Sequence, residues 1–343
     1  MKIVGFLFGA NSFEHEVSIT SLRSVLTNWS NKMYEVIVFG FDKNNILQKF
    51  SKEEFLRRFS SYTTFLQADN PCPLESIKEC SCVFSLVHGN YGEDGALQGL
   101  LSLLGIPFVG PNILSSAVCM DKDVAKRLVR AAGLNVVDWI CLRSYEKLDL
   151  VLFDSKIGFP CFVKPANSGS SCGVSCAENL QQLIEAIEWA RSFSSKVLIE
   201  KKITGMELEC AVFGIQDLVA SGVGRVIPKN KFYDYEAKYV LEDGAAIEAP
   251  AQIDLSLEKA IQSASKEIFK ILECEMMARV DFFYDGKLFF NEINTVPGFT
   301  PISLYPKLLS LTGINYQQLI DELIEMALIK HPQFESAVVL KRG

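Results

Sequence analysis

From its first residues the chain alternates short apolar runs with amphipathic stretches. Residues 3–8 (IVGFLF), 34–41 (YEVIVFGF) and 82–87 (CVFSLV) are apolar runs of strand length. Between the first two, Val17, Leu22, Val25, Leu26 and Trp29 recur at helical spacing. After the third, ALQGLLSLLG reads as a helix with a glycine stop. This alternation predicts an α/β domain over residues 1–110, a parallel sheet with helices on its faces. Ligands in such sheets gather at the carboxyl ends of the strands. Here those ends are GANSFEHE and HGNYGEDG, where glycines and polar residues concentrate.

The pattern then changes to α+β. Residues 111–203 predict a small domain. It holds a helix containing DKDVAKRLVRAAG, strand PCFVKP, loop ANSGSSCG, helix ENLQQLIEAIEWARSF and strand KVLIEK. Residues 204–343 predict a third domain, opening with strands LECAVFGI and LVASGVGRVI and a polar, aromatic stretch, KFYDYEAKY. A long helix (LEKAIQSASKEIFKIL), the segment RVDFFYDGKLFFNEINTVPGFT and two terminal helices follow. No period of solenoid length is present.

Composition narrows the partners. With 343 residues, 49% of them apolar and 22% charged, the chain has material for two or three cores. A net charge of −7 without a long basic run argues against a duplex-gripping surface. No window approaches the roughly 20 apolar residues of a membrane span. The opening MKIVGFLFGA has one lysine and gives way at once to NSFEHEVS, so it reads as a buried strand rather than a signal peptide. Ten cysteines without paired CxxC knuckles, and only three histidines, argue against a zinc cluster. Reduced thiols and a cytoplasmic location are the simplest expectation.

The segment 279–300 stands out because Arg279, Asp281, Glu292 and Asn294 interrupt an otherwise apolar pattern. A buried charge without a partner is costly. Asp285-Gly286 is a hairpin turn signal. A two-residue loop would pair Tyr284 with Lys287, Asp281 with Phe290 and Arg279 with Glu292, projecting all four polar residues from one face. A three-residue loop would split the set. Two carboxylates and a carboxamide on one face suit a hard cation, Mg²⁺ above all. The plainer reading is a surface ion pair of Arg279 with Glu292. Phe282, Phe283, Phe289 and Phe290 favour a packed hairpin, and with it the metal.

A second candidate is KPANSGSSCGVS, residues 164–175, whose small residues let backbone N–H groups approach an anion. It lacks the Walker pattern. Alone it would read as a connector, but beside Lys164 and a magnesium site it reads as a phosphate-covering flap. Lys122, Lys164, Lys201 and Lys238 sit at loop or element ends, where most lysines are merely solvated. His88, at a strand's carboxyl end, is either ligand-facing or a capped loop histidine. Glu14 lies in the first turn of a helix, where the dipole alone favours an acid.

Taken together, LFGANSFEHEVS, LVHGNYGEDGALQGLL, VGPNILSSAVCMDK, FVKPANSGSSCGVS, VLIEKKITGMELECAV, FYDYEAKY and ARVDFFYDGKLFFNEINTVPGFTPISLYP resemble the D-alanine–D-alanine ligase family of the ATP-grasp superfamily. The motifs keep the family's order over residues 4–306. The resemblance implies an ATP-grasp fold, ATP and two Mg²⁺ ions (or Mn²⁺), two D-alanines as substrates, peptidoglycan precursor synthesis, and a homodimer through the first domain.

It also implies roles residue by residue. Lys122 and Lys164 match lysines on the ATP phosphates. Glu200 and Lys201 match the hinge beside the adenine, and Glu207 the ribose contact. Ser170 and Ser171 lie in the flap, and Lys238 in the loop that closes on it. Asp281, Glu292 and Asn294 match the metal ligands. Glu14, His88 and Ser170 match residues around the first D-alanine, while Ser303 and Leu304 match the second substrate's site. Arg279 and the Gly298 backbone match the stabilisers of the tetrahedral intermediate. Tyr239 matches a tyrosine of dipeptide-forming members. FEHEVS and the HGNYGEDG turn weigh against a ligase for another substrate pair, and the intact Arg279, Asp281, Glu292 and Asn294 weigh against a nucleotide sensor without turnover. The chain departs from the family pattern at Asn167 and Ser168 in the flap, Gly9-Ala10 after the first strand, and Met277-Ala278 before the arginine. None of these removes a group the chemistry needs.

Overall fold

The computed structural model describes residues 2–60, 66–67, 69–228, 245–300 and 303–330. Its first sheet holds β1 (Lys2–Gly9), β2 (Tyr34–Phe41), β3 (Leu47–Ser51) and β4 (Cys82–Ser85), in the order β3-β2-β1-β4. β1 runs parallel to β2 and β4, and the short β3 is an antiparallel edge strand. Successive side chains of β1 point to opposite faces. Val4, Phe6 and Phe8 pack with Leu22, Val25 and Leu26 of α1 (His15–Asn28). Leu7 packs on the other side with Leu97 and Leu101 of α3 (Ala96–Leu103). Burial on both faces explains why the strand runs are continuously apolar. Helix α2 (Lys52–Arg58) flanks β2 and β3.

Two helices follow, α4 (Ile113–Met120) and α5 (Lys122–Ala131). Asp121 separates them, and its side chain accepts from the N–H groups of Asp123 and Val124, both at 3.1 Å, capping α5. The second sheet contains β5 (Trp139–Arg143), β6 (Cys161–Pro165), β7 (Ser175–Ala177) and β8 (Lys196–Lys201) in the order β5-β8-β6-β7. Helices α6 (Leu150–Lys156) and α7 (Leu180–Arg191) share one core with it.

The third sheet is antiparallel throughout. It holds β9 (Met206–Gly214), β10 (Val219–Pro228), β11 (Ala245–Glu248), β12 (Met276–Tyr284) and β13 (Leu288–Asn294), ordered β11-β10-β9-β12-β13. Helix α8 (Leu255–Ile271) covers one face, sharing a core with Ala125 and Val129 of α5. Helices α9 (Leu304–Ser310) and α10 (Tyr316–Lys330) close the described chain. Leu319, Leu323 and Ile324 of α10 return to the core around Val4, Phe6 and Phe84. The first and third sheets are thereby held together by apolar packing. Among the described residues no helix is long and apolar enough to cross a membrane.

The β12–β13 hairpin corrects the expected register. Tyr284 faces Leu288, so the connection Asp285–Lys287 has three residues, with Gly286 at φ +102°. Arg279 opposes Asn294 and Asp281 opposes Glu292, rather than Glu292 and Phe290 respectively. The polar set nevertheless stays on one face. Phe282 pairs with Phe290 while Asp281 pairs with Glu292, leaving Asn291 as an extra residue in a β-bulge. Without that bulge, continuing the pairing from Phe290 would put Glu292 opposite Val280, on the other face.

Candidate active site

Three carboxylates stand side by side across the third sheet. Glu209 on β9 opposes Asp281 on β12, which opposes Glu292 on β13. Like charges on neighbouring strands repel, and two cations answer them. Arg279 donates from Nε and Nη2 to the two carboxylate oxygens of Asp281, both at 2.7 Å, and its Nε lies 2.8 Å from Glu209. Burial alone would lower the guanidinium's pKa, but Asp281 and Glu209 outweigh it and hold the value raised. Glu292 pairs with Lys122, at 3.3 Å, and not with Arg279 as the simple ion-pair reading expected. Glu209 escapes a reading focused on the hairpin. Its signal is the acid pair Glu207 and Glu209, two apart in the apolar strand MELECAV.

The lysines are held just as specifically. Lys122 opens α5 behind the Asp121 cap, and its Nζ donates to Ser168 O at 2.7 Å. Lys164 on β6 donates to Asn291 Oδ1, at 3.2 Å, so the bulge residue grips it. Its other partner is Glu200 on β8, at 2.6 Å, whose second oxygen lies 2.6 Å from Lys126. Lys126 is completely buried, and burial pushes its ammonium down to about 8, against the pull of Glu200. Burial would raise the Glu200 carboxyl, but Lys126 and Lys164 reverse that and lower it. One charge thus serves two ammonium groups. Lys201 ends β8, and Glu207 lies near the start of β9.

Glu14 stands at the N-terminus of α1 and accepts a hydrogen bond from Ser170 Oγ of the flap. Ser170 and Ser171 both have left-handed backbone, φ +49° and +58°, at a cost of roughly 1 kcal/mol or more each. Two glycines let loops reach the Glu14 carboxylate. A Cβ on Gly89 or Gly169 would lie 2.5 or 2.7 Å from Glu14 Oε2. His88 has both ring nitrogens engaged by the protein. Nδ1 faces the Val296 carbonyl at 2.9 Å and must carry the proton, while Nε2 accepts from Ser21 Oγ at 2.9 Å. Burial lowers the pKa of this imidazole. Beside it, Glu93 accepts from Gly89 N and Val296 N; burial and the nearby Glu14 push its carboxyl up to about 8. Glu93 is another residue that sequence alone does not single out. Ser303 stands at the N-terminus of α9, next to Leu304; its Oγ accepts from Thr300 N at 3.0 Å and lies where a Cβ on Gly298 would come within 2.6 Å.

These groups line two adjoining cavities. The larger, about 640 Å³, is bordered by Lys122, Lys164, Ser168–Ser171, Glu200, Lys201, Glu207, Asn291 and Glu292, with Phe162, Met206 and Phe283 as apolar wall. The smaller, about 150 Å³, is bordered by Glu14, His88, Glu93, Glu209, Arg279, Asn294, Gly298, Ser303 and Leu304. Lys122, Ser168, Gly169, Ser170 and Glu292 belong to both. An anion held in the large cavity therefore meets a small molecule in the other beside Lys122 and under the flap. Lys238 and Tyr239 lie outside the described residues.

The donor set fits a hard cation. Asn294 Oδ1 is buried and has no hydrogen-bond partner among the described residues, on the face that carries Asp281 and Glu292. Each carboxylate oxygen has two lone pairs, so contact with Arg279 leaves Asp281 able to take another partner. Among the described residues no three His, Cys, Asp or Glu side chains cluster for a metal; the set is two carboxylates and a carboxamide.

Comparison with known proteins agrees with this geometry. The family model for the D-ala D-ala ligase N-terminus matches residues 3–111, and that for the D-ala D-ala ligase C-terminus matches residues 128–325. A D-alanine–D-alanine ligase of Oceanobacillus iheyensis is 41% identical over 349 residues, covering 95% of each chain. The VanG D-Ala:D-Ser ligase of Enterococcus faecalis superposes with a TM-score of 0.84 at 36% identity, covering 95% of this chain and 99% of that one. The D-alanine–D-alanine ligase of Bacillus anthracis complexed with ATP superposes at 0.77 and 30% identity, over 96% and 99%. Two adjoining cavities, a strained flap and a carboxylate row balanced by Arg279 and Lys122 are thus set in a chain that belongs to the D-alanine–D-alanine ligase family, with its ATP-grasp fold.

Proposed function

We propose that this chain joins two D-alanines into D-alanyl-D-alanine at the expense of ATP, for peptidoglycan precursors. The observation that carries the reading is the junction of the two cavities at Lys122, Glu292 and the flap. ATP occupies the larger cavity, its phosphates toward Lys122, Lys164, Ser170 and Ser171, its adenine beside Glu200 and Lys201, and its ribose toward Glu207. Lys238 belongs to the same set. The first D-alanine lies in the smaller cavity with its ammonium at Glu14 and Ser170, His88 shaping the wall. The second lies toward Ser303 and Leu304. Asp281, Glu292 and Asn294 would hold Mg²⁺ or Mn²⁺, which supplies charge neutralisation between the anionic reactants.

A carboxylate is a poor electrophile, so it must first be activated. The carboxylate oxygen of the first D-alanine attacks the γ-phosphorus and the bond to the β-phosphate oxygen breaks, giving an acyl phosphate and ADP. Lys122 and Lys164 offset the repulsion between the two anions. The amine of the second D-alanine then attacks the acyl carbon, and phosphate leaves. Arg279 and the Gly298 N–H face the tetrahedral oxyanion, a kind of stabilisation that supplies a few kcal/mol. The flap keeps water from the acyl phosphate. Tyr239 favours an amine over a hydroxyl as second nucleophile. A homodimer through the first domain belongs to the same reading, and Leu103 on α3 is an exposed apolar group on that domain.

The test is phosphate release from ATP, with product identification, across D- and L-amino acids including D-serine and D-lactate. D-Alanine alone should release phosphate and yield the dipeptide. A stable phosphorylated product, or turnover only with another substrate pair, would overturn the reading. A preference for D-serine as second substrate would place the chain's specificity with the Enterococcus ligase.

A further inference from the structure

Val296 is gripped on both sides of its backbone by a loop of the first domain. Its N–H donates to Glu93 Oε2 at 3.1 Å, and its carbonyl accepts from His88 Nδ1 at 2.9 Å. Glu93 Oε1 accepts from Gly89 N at 2.9 Å, so both oxygens of this buried carboxylate are spent on backbone N–H groups. The same loop reaches Glu14. Ser12 Oγ donates to the His88 carbonyl at 2.7 Å and accepts from Glu14 N at 3.1 Å. Val296 lies two residues before Gly298. An unbroken line of hydrogen bonds therefore joins the Glu14 backbone to the segment that presents the Gly298 N–H.

Burying an acid here is costly, and the apolar packing of the loop does not require it. Hydrogen bonds from two N–H groups of separate segments, at 2.9 and 3.1 Å, give it a purpose, because they are directional and tie both segments to one side chain. We propose that Glu93 and His88 form a clamp on the Val296 peptide that sets the spacing between Glu14 and the Gly298 N–H, acting as positioning residues for peptide-bond formation. The proposal rests on the ligase reading above. Phosphorylation of the first substrate takes place at the Lys122–Glu292 junction, which the clamp does not touch. Capture of the acyl phosphate needs Gly298. A loosened clamp should let the acyl phosphate form and then lose it to water: water attacks the acyl carbon, the bond to the phosphate oxygen breaks, and D-alanine and phosphate leave. The net result is ATP hydrolysis without dipeptide.

Three variants test this. Glu93→Gln keeps the volume but sets an amide donor against one of the two N–H groups. His88→Asn places its amide nitrogen near the Nδ1 position and keeps the bond to Val296, whereas His88→Gln reaches the Nε2 position and loses it. For each, phosphate released, dipeptide formed and the Kd of a non-hydrolysable ATP analogue are measured. Glu93→Gln and His88→Gln should lower the kcat for dipeptide about 10- to 100-fold, the scale of a misplacement near 1 Å. Their phosphate-to-dipeptide ratio should rise severalfold above one, with analogue affinity within about twofold of wild type. His88→Asn should stay near a ratio of one. Ratios of one in both Glu93→Gln and His88→Gln, equal behaviour of the two His88 variants, or analogue binding lost in step with dipeptide would overturn the clamp. Wild-type protein that makes no dipeptide from D-alanine would overturn the ligase reading instead.

Discussion

Replacing Glu200 by glutamine probes how the larger cavity is held together. The carboxylate is 2% exposed and lies 2.6 Å from the ammonium groups of both Lys126 and Lys164. Glutamine keeps the size and one acceptor oxygen but removes the charge. Breaking a buried ion pair by deleting one partner destabilises by about 3–5 kcal/mol, and a loss of that order is expected at pH 7. Protonation gives a second signature. Burial lowers the Lys126 pKa from 10.5 to about 8. A base whose folded pKa is lowered binds fewer protons folded than unfolded, so its penalty is full below pH 8 and fades as pH rises toward 10.5. Without Glu200 the main influence opposing burial is gone, and Lys126 sheds its proton at lower pH. By pH 9 the wild-type ammonium has itself largely lost its charge, so the carboxylate matters less there. The stability difference should therefore be smaller at pH 9 than at pH 7 by about 1 kcal/mol, the scale of one pKa unit. Urea unfolding read by Trp139, whose ring lies 5.9 Å from Lys126 Nζ, measures both values. Trp29 and Trp189 are replaced by phenylalanine in wild type and variant alike. A loss below about 1 kcal/mol at pH 7, or a larger loss at pH 9, would refute the shared-charge account.

Glu209 borders only the smaller cavity and steadies Arg279. Glu209→Gln should lower the kcat for dipeptide by roughly tenfold or more, the scale of losing an aligned oxyanion donor, while ATP-analogue affinity changes less than about twofold; a matching fall in both would count against the assignment. Glu292→Gln removes one of the proposed cation ligands, so Mn²⁺ titration in the presence of ADP, followed by electron paramagnetic resonance, should show affinity at least about tenfold weaker, in line with loss of one charged contact. Unchanged Mn²⁺ affinity would exclude Glu292 from the set. Ser170→Ala breaks the link to Glu14, and the KM for D-alanine should rise several-fold with ATP-analogue affinity held; an unchanged KM would leave that link without a role in substrate binding.

The legible parts of the chain are those whose signal is local. The stripe from Val17 to Leu26 folds within α1, with Trp29 just past its end, and the runs at 3–8 and 34–41 form paired strands. Asp281, Glu292 and Asn294 stand out because a polar residue in an apolar strand demands a reason, and the structure puts all three on one face. What the local pattern lacks is the identity of each partner. The bulge at Asn291 depends on contacts from elsewhere: Lys164 takes its carboxamide, and the neighbouring Phe290 N–H donates to Asn135 O. No turn rule for Asp285-Gly286 contains those two segments, so the two-residue loop is a natural but mistaken expectation.

The same limit explains Lys126, Glu93 and Glu209. A lysine four residues after Lys122 on an amphipathic helix reads as solvated, and only the position of Glu200 on a distant strand makes its burial tolerable. Glu93 reads as part of a glycine turn until Val296, from the far end of the chain, brings an N–H to it. Glu209 carries the same clue as Asp281, but no turn beside it draws the eye, and its counter-charge comes from Arg279 on the next strand. For Glu209 the sequence states that a charge must be answered, because an unanswered buried charge is too costly to keep, whereas for Lys126 and Glu93 the burial itself is set by distant segments. Which group answers it is a property of strand order. Arg279 makes the case most clearly: the hairpin pattern alone offers it Glu292, while the sheet order β9-β12-β13 gives it Asp281 and Glu209 and leaves Glu292 to Lys122.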